Sequence, residues 1–232
     1  MRSRTARACV GIAVLVALAG AALAASARSA GPAASKAGGT LTIGLAEEPD
    51  ALDPTIARTF VGRIVFQTLC EKLYDLNSQL NIVPELAAAL PQVSKDKLTY
   101  TIKLRGNIKF NDGTPFDAAA VKGTLERYQT FKGSVRASEI SPISSIDAPN
   151  ATTVVLHLSS PYSPLTAQLA DRSGMILSPK ALASGGNFAQ NPVCVGPFMF
   201  RTASRAITSP SSSRRTTTTS RRCIWTRSCS RS

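Results

Sequence analysis

The chain has 232 residues, of which 44% are hydrophobic, and a formal net charge of +13. That length accommodates one or two domains with a packed core. The charge is confined to the ends: residues 1–40 and 201–232 contain no acid, while residues 41–200 balance 14 basic against 14 acidic groups, which argues against a body built to bind polyanions.

Each basic end has its own explanation. At the start, Arg2, Arg4 and Arg7 precede an apolar run from Val10 to Leu23, followed by Ala22-Leu23-Ala24 or Ala25-Ser26-Ala27 as small-residue cleavage motifs. The run falls short of the ~20 apolar residues a membrane span requires. Residues 1–27 read as a cleaved secretory signal peptide, with a retained N-terminal anchor as the other possibility. Cys9 precedes the apolar run and is badly placed for a lipoprotein anchor. Residues 28–39 read as a flexible leader. The expected location is across the cytoplasmic membrane, periplasmic or attached to the cell surface.

Leu41, Ile43 and Leu45 alternate with Thr42 and Gly44 and predict a short strand. A loop with Pro49 and Pro54 follows, carrying Glu47, Glu48, Asp50 and Asp53. These carboxylates suit a hard cation or the ammonium group of a peptide, with Glu48 and Asp53 as the ligand-binding candidates. A solvated acidic loop is the plainer reading, and the spacing is not that of a calcium-binding EF-hand. Phe60, Ile64, Val65, Leu69 and Leu73 recur at helical spacing and predict a helix from Arg58 to Tyr74. An extended Leu73–Leu76 and a turn at Asn77-Ser78 come next.

Leu98, Tyr100, Ile102 and Leu104 alternate with Thr99, Thr101, Lys103 and Arg105, the pattern of a half-buried strand. Gly106-Asn107 breaks it, and Asn111-Asp112-Gly113 supplies a turn that tolerates positive φ. Asp117 is placed to cap a helix whose inner face is Ala118, Val121, Leu125 and Tyr128. Residues 129–149 look mixed and turn-rich. Thr152–Leu158 reads as a strand with Val154, Leu156 and Leu158 on one side and His157 on the other. His157, the single histidine, reads as structural. Asn150-Ala151-Thr152 matches the glycosylation acceptor pattern, a weak signal by itself.

The string LTYTIKLRGNIKFNDGTPFDAAAVKGTLERY (98–128) resembles the hallmark segment of the extracytoplasmic solute-binding proteins, family 5, that serve oligopeptide, dipeptide and nickel ABC importers. It departs from the usual form at Gly106-Asn107 and at Asn111, where histidine is common. Further stretches are similar: GGTLTIGLAEEPDALDP (38–54), Ile82–Ala87, Ser160–Leu165, Met175–Lys180 and Asn191–Phe198. The resemblance implies a mixed α/β (α+β) fold forming the N-terminal part of a two-lobed clamshell, with the second lobe missing. On that reading residues 40–62 start the main lobe, 63–165 form a smaller strand-helix domain, and 166–200 return to the main lobe. It also implies capture of peptides or similar solutes for permease subunits of an ABC importer, without cofactor or catalysis. Nucleic acid is not an expected partner. Relatives bind peptides, nickel complexes, sugars or haem, and half a clamshell implies impaired binding.

From Arg201 onward the chain is almost wholly Arg, Ser and Thr, with Cys223, Trp225 and Cys229. One reading is a disordered basic tail for polyanions. The other is a shifted reading frame. The codons of Arg201–Thr208 permit Asp-Arg-Val-Ala-Gly-Asp-His, and those of Cys223–Arg231 permit His-Leu-Asp-Lys-Ile-Val-Phe-Lys, which resembles the family's continuation. Before this break the chain holds Cys70 and Cys194 past the signal, an even count that in a secreted chain suggests one disulfide. No P-loop, H-E-x-x-H, G-x-S-x-G or paired C-x-x-C is present, and one histidine leaves little room for a triad, so the chain does not read as an enzyme.

Overall fold

The computed structural model describes residues 41–204 and 222–227. The expected signal peptide and leader and most of the basic tail lie outside the described residues. The chain divides into two units, Met1–Ile43 and Gly44–Ser232. Of the first, only Leu41–Ile43 is described, without regular structure. The expected strand at Leu41–Leu45 does not form: a few alternating apolar residues make no strand without a neighbour to take up their N–H and C=O groups.

The second unit is built on a four-stranded antiparallel sheet. In chain order, the elements are α1 (Phe60–Leu69), β1 (Tyr74–Leu76), β2 (Ile82–Pro84), β3 (Gln92–Val93), β4 (Thr99–Lys103), α2 (Ala118–Thr130), β5 (Ile143–Asn150), β6 (Thr153–Leu158), α3 (Leu165–Gln168), α4 (Pro179–Ala183), β7 (Phe198–Ser204) and β8 (Arg222–Arg227). The sheet order is β3-β4-β6-β5, with Ile102 opposite Val154 and Tyr100 opposite Leu156. The alternation at Leu98–Arg105 works as expected: Tyr100, Ile102 and Leu104 are buried, while Thr99, Thr101 and Lys103 are not.

The helix α2 lies against β5 and β6. Its start is fixed by Asp117, whose Oδ1 accepts the Ala120 N–H at 2.9 Å. Ala118, Val121, Leu125 and Tyr128 are all fully buried, so the inner face is the one the spacing predicts. At the turn before it, Gly113 sits at φ +84°, open to glycine without strain.

Two expectations change. The helix expected over Arg58–Tyr74 is only Phe60–Leu69. Thr59 caps it, and Cys70 leaves it in an extended conformation. Its buried face is Val61, Val65, Phe66 and Leu69, whereas Phe60 is 68% exposed and Ile64 is also exposed. The turn-rich stretch before Asn150 is in fact β5. It is an edge strand, so the missing N–H of Pro149 costs it no rung on the open side, and register shifts between Ile143 and Ser145 and between Asp147 and Asn150 disguise its periodicity.

Within the Arg/Ser/Thr-rich end, Arg201–Ser204 completes β7, and Arg222–Arg227 pairs with it antiparallel as β8.

Candidate functional site

The acidic loop between Leu45 and α1 is anchored from three later parts of the chain. Asp53 is only 2% exposed and accepts the N–H of Thr55 at 2.9 Å. Its carboxylate meets Arg127 of α2, Nη2 to Oδ2 at 2.7 Å, and the same guanidinium donates to Thr55 Oγ1. Arg127 also lies over the Phe131 ring, 4.4 Å from its centre. Asp53, a ligand candidate from the sequence, is therefore already committed within the fold.

Asp50 fixes the other end of the loop. It accepts the N–H of Arg58 at 2.8 Å, the N–H of Thr59 at 3.3 Å and the hydroxyl of Thr59 at 2.9 Å. Burial pushes the Asp50 carboxyl up, and these hydrogen bonds outweigh that and hold it below the usual carboxylate value. Glu48 is half-buried and Glu47 exposed. The four carboxylates do not converge, and among the described residues no group of three His, Cys, Asp or Glu side chains is placed to hold a metal ion.

Arg136 and Arg172 complete the anchoring. Arg172 Nη1 donates to the carbonyls of Ala57 at 3.0 Å and Thr59 at 3.3 Å. Arg136 Nη2 reaches Ala57 O at 3.4 Å, and its Nη1 pairs with Glu139 at 2.6 Å. Ser173 donates to Glu139, and Arg63 of α1 pairs with Asp171. These arginines were not singled out from the sequence. The one signal available was an arginine between short apolar stretches, as Arg172 lies between Leu169-Ala170 and Met175–Leu177.

A second junction lies at the hallmark turn. Asn111 donates from its backbone to Cys194 O at 3.0 Å and from Nδ2 to Phe198 O at 3.0 Å. Asp112 Oδ2 accepts the Ser178 hydroxyl at 2.5 Å. Cys194 is joined to Cys70 by a disulfide, S–S 2.02 Å with Cα atoms 5.0 Å apart. Beside it, Glu71 N–H meets Val195 O at 2.6 Å. His157 lies 3.0 Å from Asp147 across the β5–β6 pair, a sheet-surface contact in keeping with a structural role. Two shallow depressions also mark the surface. One of about 370 Å³ lies between α2 and α4, bordered by Gly123, Thr124, Leu177 and Leu182, and one of about 360 Å³ lies beside Phe116 and Asp117.

The described residues thus place a strand-turn-helix unit on a β-sheet, with the loop before α1 locked by arginines from later in the chain. Residues 81–207 match the family "Bacterial extracellular solute-binding proteins, family 5 Middle", and the chain belongs to that family. It is 34% identical over 149 residues to the glutathione-binding protein GsiB of Escherichia coli K12, a match covering 63% of this chain and 29% of the relative. Among solved structures it is similar to the PBP AgaA from A.tumefacien R10 in complex with agropinic acid, at 35% identity and TM-score 0.62, over 67% of this chain and 32% of that one. It also resembles NikZ from Campylobacter jejuni in complex with Ni(L-His), at 27% identity and TM-score 0.61 over 67% and 31%. Listeria monocytogenes OppA bound to peptide aligns at 25% identity and TM-score 0.62 over 67% and 34%. The chain thus spans about a third of these relatives, and its fold is part of a periplasmic-binding-protein lobe.

Proposed function

We propose that this chain is the solute-capturing part of an ABC-importer receptor, taking a peptide or similar small solute outside the cytoplasmic membrane and presenting it to permease subunits. The family match over residues 81–207 is the observation that carries this reading. The proteins it resembles are named for glutathione, agropinic acid, a nickel–histidine complex and a peptide, so small acids and amino-acid-derived solutes are the first to test. Glu48, beside the locked loop, is the acidic side chain we assign to solute contact. We further propose that the residues from Arg201 onward derive from a shifted reading frame, which resequencing of the gene from the codon of Cys194 onward tests.

The functional test is ligand-dependent stabilisation of the secreted chain. A solute that binds only the folded state at a hundred times its Kd raises stability by ~2.7 kcal/mol. Stabilisation by dipeptides or S-methylglutathione, with no turnover of the ligand, is the expected result. A flat response across dipeptides, nickel–histidine and S-methylglutathione overturns the proposal.

A further inference from the structure

Four charged side chains meet at the base of the β1–β2 hairpin: Glu71, Lys72, Asp75 and Glu85. Lys72, the cation of the group, is only 6% exposed. Its Nζ lies 2.5 Å from Asp75 Oδ1, and its backbone N–H donates to Glu85 Oε2 at 2.8 Å. Two carboxyl groups thus hold one residue, Asp75 at its head and Glu85 at its backbone. The backbone of that residue is fixed. Cys70 is bridged to Cys194, Glu71 N–H meets Val195 O at 2.6 Å, and Leu73 N–H meets Gly174 O at 2.9 Å. Gly174, Met175 and Val195, which lie alongside, bring no titratable side chain. From after β4, Arg105 reaches the Glu85 carbonyl at 3.0 Å. The neighbouring Tyr74 phenol is kept protonated by burial.

Three carboxyl groups share one ammonium, and water serves them unequally. The Asp75 side chain is 42% exposed, and its Oδ1 also accepts the Leu76 N–H at 2.8 Å, so it stays solvated without Lys72. Glu85 is half-buried. Burial pushes its carboxyl up to about 7 against the Lys72 N–H and ammonium, and the Asp75 and Glu71 charges push the same way. A neutral Glu85 needs no counter-charge, and the ammonium then rests on Asp75, as the structure shows. An ionised Glu85 is starved of water and competes for the ammonium, which a flexible four-carbon stem lets turn. We infer that Lys72 is a two-position switch: its ammonium stays on Asp75 while Glu85 is protonated and moves to Glu85 when that carboxyl ionises, which releases Asp75 and loosens the β1–β2 hairpin. The protonated form belongs to the tight hairpin, so the hairpin is tight in acid and loosens as pH rises through about 7. This device goes beyond the receptor function and does not depend on which solute is captured. At the extracytoplasmic location proposed above, the pH of the medium reaches it directly.

The experiment is an NMR titration of the whole chain, without solute, from about pH 5 to about pH 8.5. The side-chain carboxyl carbons of Glu85 and Asp75 are followed together with amide exchange. Asn77 N–H, which bonds Asn81 O at 3.0 Å across the hairpin, reports loosening, and Leu158 N–H, which bonds Leu98 O at 2.8 Å, is the reference in the main sheet. The expected result is a Glu85 step near 7 with a matching step at Asp75, which itself gains no proton there. Over the same range Asn77 loses about two- to fivefold of its protection relative to Leu158, the worth of a partly exposed ion pair. In E85Q the Asp75 step vanishes and Asn77 keeps its acid-side protection throughout. In D75N the ammonium is free for Glu85 from the start, so the Glu85 midpoint falls by about one unit or more. The parent titration needs no variant, so a misfolded E85Q does not blunt the test. A Glu85 midpoint in the ordinary carboxylate range overturns the switch. So does a Glu85 step near 7 that leaves Asp75 and Asn77 unmoved, or an Asp75 step that persists in E85Q.

Discussion

The Cys70–Cys194 bridge gives the most sharply calculable prediction. Its half-cystines are 124 residues apart, so it closes a loop that takes in most of the folded unit. On the chain-entropy account, a loop that long restricts the unfolded state by about 4.9 kcal/mol. Measured effects usually fall below that ceiling, and we expect about 3 kcal/mol. Both cysteines are buried, and the bridge ties the end of α1 to the strand-entry segment at Val195–Phe198. The perturbation is Cys70→Ala with Cys194→Ala, compared with the reduced parent chain. At a urea slope of about 2 kcal/mol per M the midpoint should drop by about 1.5 M in each. Agreement between the two routes separates the lost crosslink from lost sulfur packing. A midpoint unchanged on reduction, in protein shown by mass spectrometry to start with the bridge, would refute the reasoning, and free thiols at both positions in exported protein would refute the pairing.

Other consequences are read with the same urea titration. Tyr74 and Tyr128 are both fully buried, and burial raises the pKa of each phenol. Tyr128 donates to Met175 O at 2.6 Å, whereas the Tyr74 hydroxyl has no hydrogen-bond partner among the described residues, so Tyr128→Phe should lose about 1 kcal/mol and Tyr74→Phe gain a similar amount. A Cβ at Gly196 would lie 2.0 Å from Leu69 O, and one at Gly174 1.8 Å from Leu169 O, so alanine at either should cost about 2 kcal/mol or more. Gly123, exposed within α2 with open space around its Cα, should instead gain about 0.5–1 kcal/mol as alanine. Burial pushes the Glu85 carboxyl up to about 7, against the stabilising N–H of Lys72 at 2.8 Å. A raised folded-state pKa gives stability that is full in acid below the unfolded value and is lost as pH rises through about 7. Stability should fall by about 1–2 kcal/mol between pH 4.5 and 7.5 after allowance for partial solvent screening, and Glu85→Gln should flatten that slope.

What was legible in the sequence was local. The strand at Thr99–Lys103 shows because its alternation is complete within five residues, and the cap at Asp117 shows because donor and acceptor are three residues apart. The placement of α1 was not legible. Phe60 and Ile64 are as apolar as Val61 and Phe66, and periodicity cannot say which of two adjacent stripes meets the core. The strand β5 was hidden because its serines, Pro149 and Asn150 are turn residues by composition, tolerated on an edge with two register shifts. The acidic cluster was visible as composition, but its meaning depends on Arg127, 74 residues beyond Asp53.

That dependence bears on how the site is held. The carbonyls of Ala57 and Thr59, and the carboxylate of Asp53, are satisfied by arginines from α2, from the segment after it, and from the turn after α3. The loop cannot reach its final shape until residues as late as Arg172 are in place. Once they are, removing Arg127 leaves the buried Asp53 carboxylate at the full cost of desolvation, whereas Ala57 O keeps a second arginine donor if either Arg136 or Arg172 is lost. Arg127 is fully occupied by Asp53, Thr55 and the Phe131 ring, and so serves the loop alone. Arg172 supports the same loop from one nitrogen, through the carbonyls of Ala57 and Thr59. Asp53→Asn, which takes the carboxylate from Arg127, should loosen the loop and lower the urea midpoint.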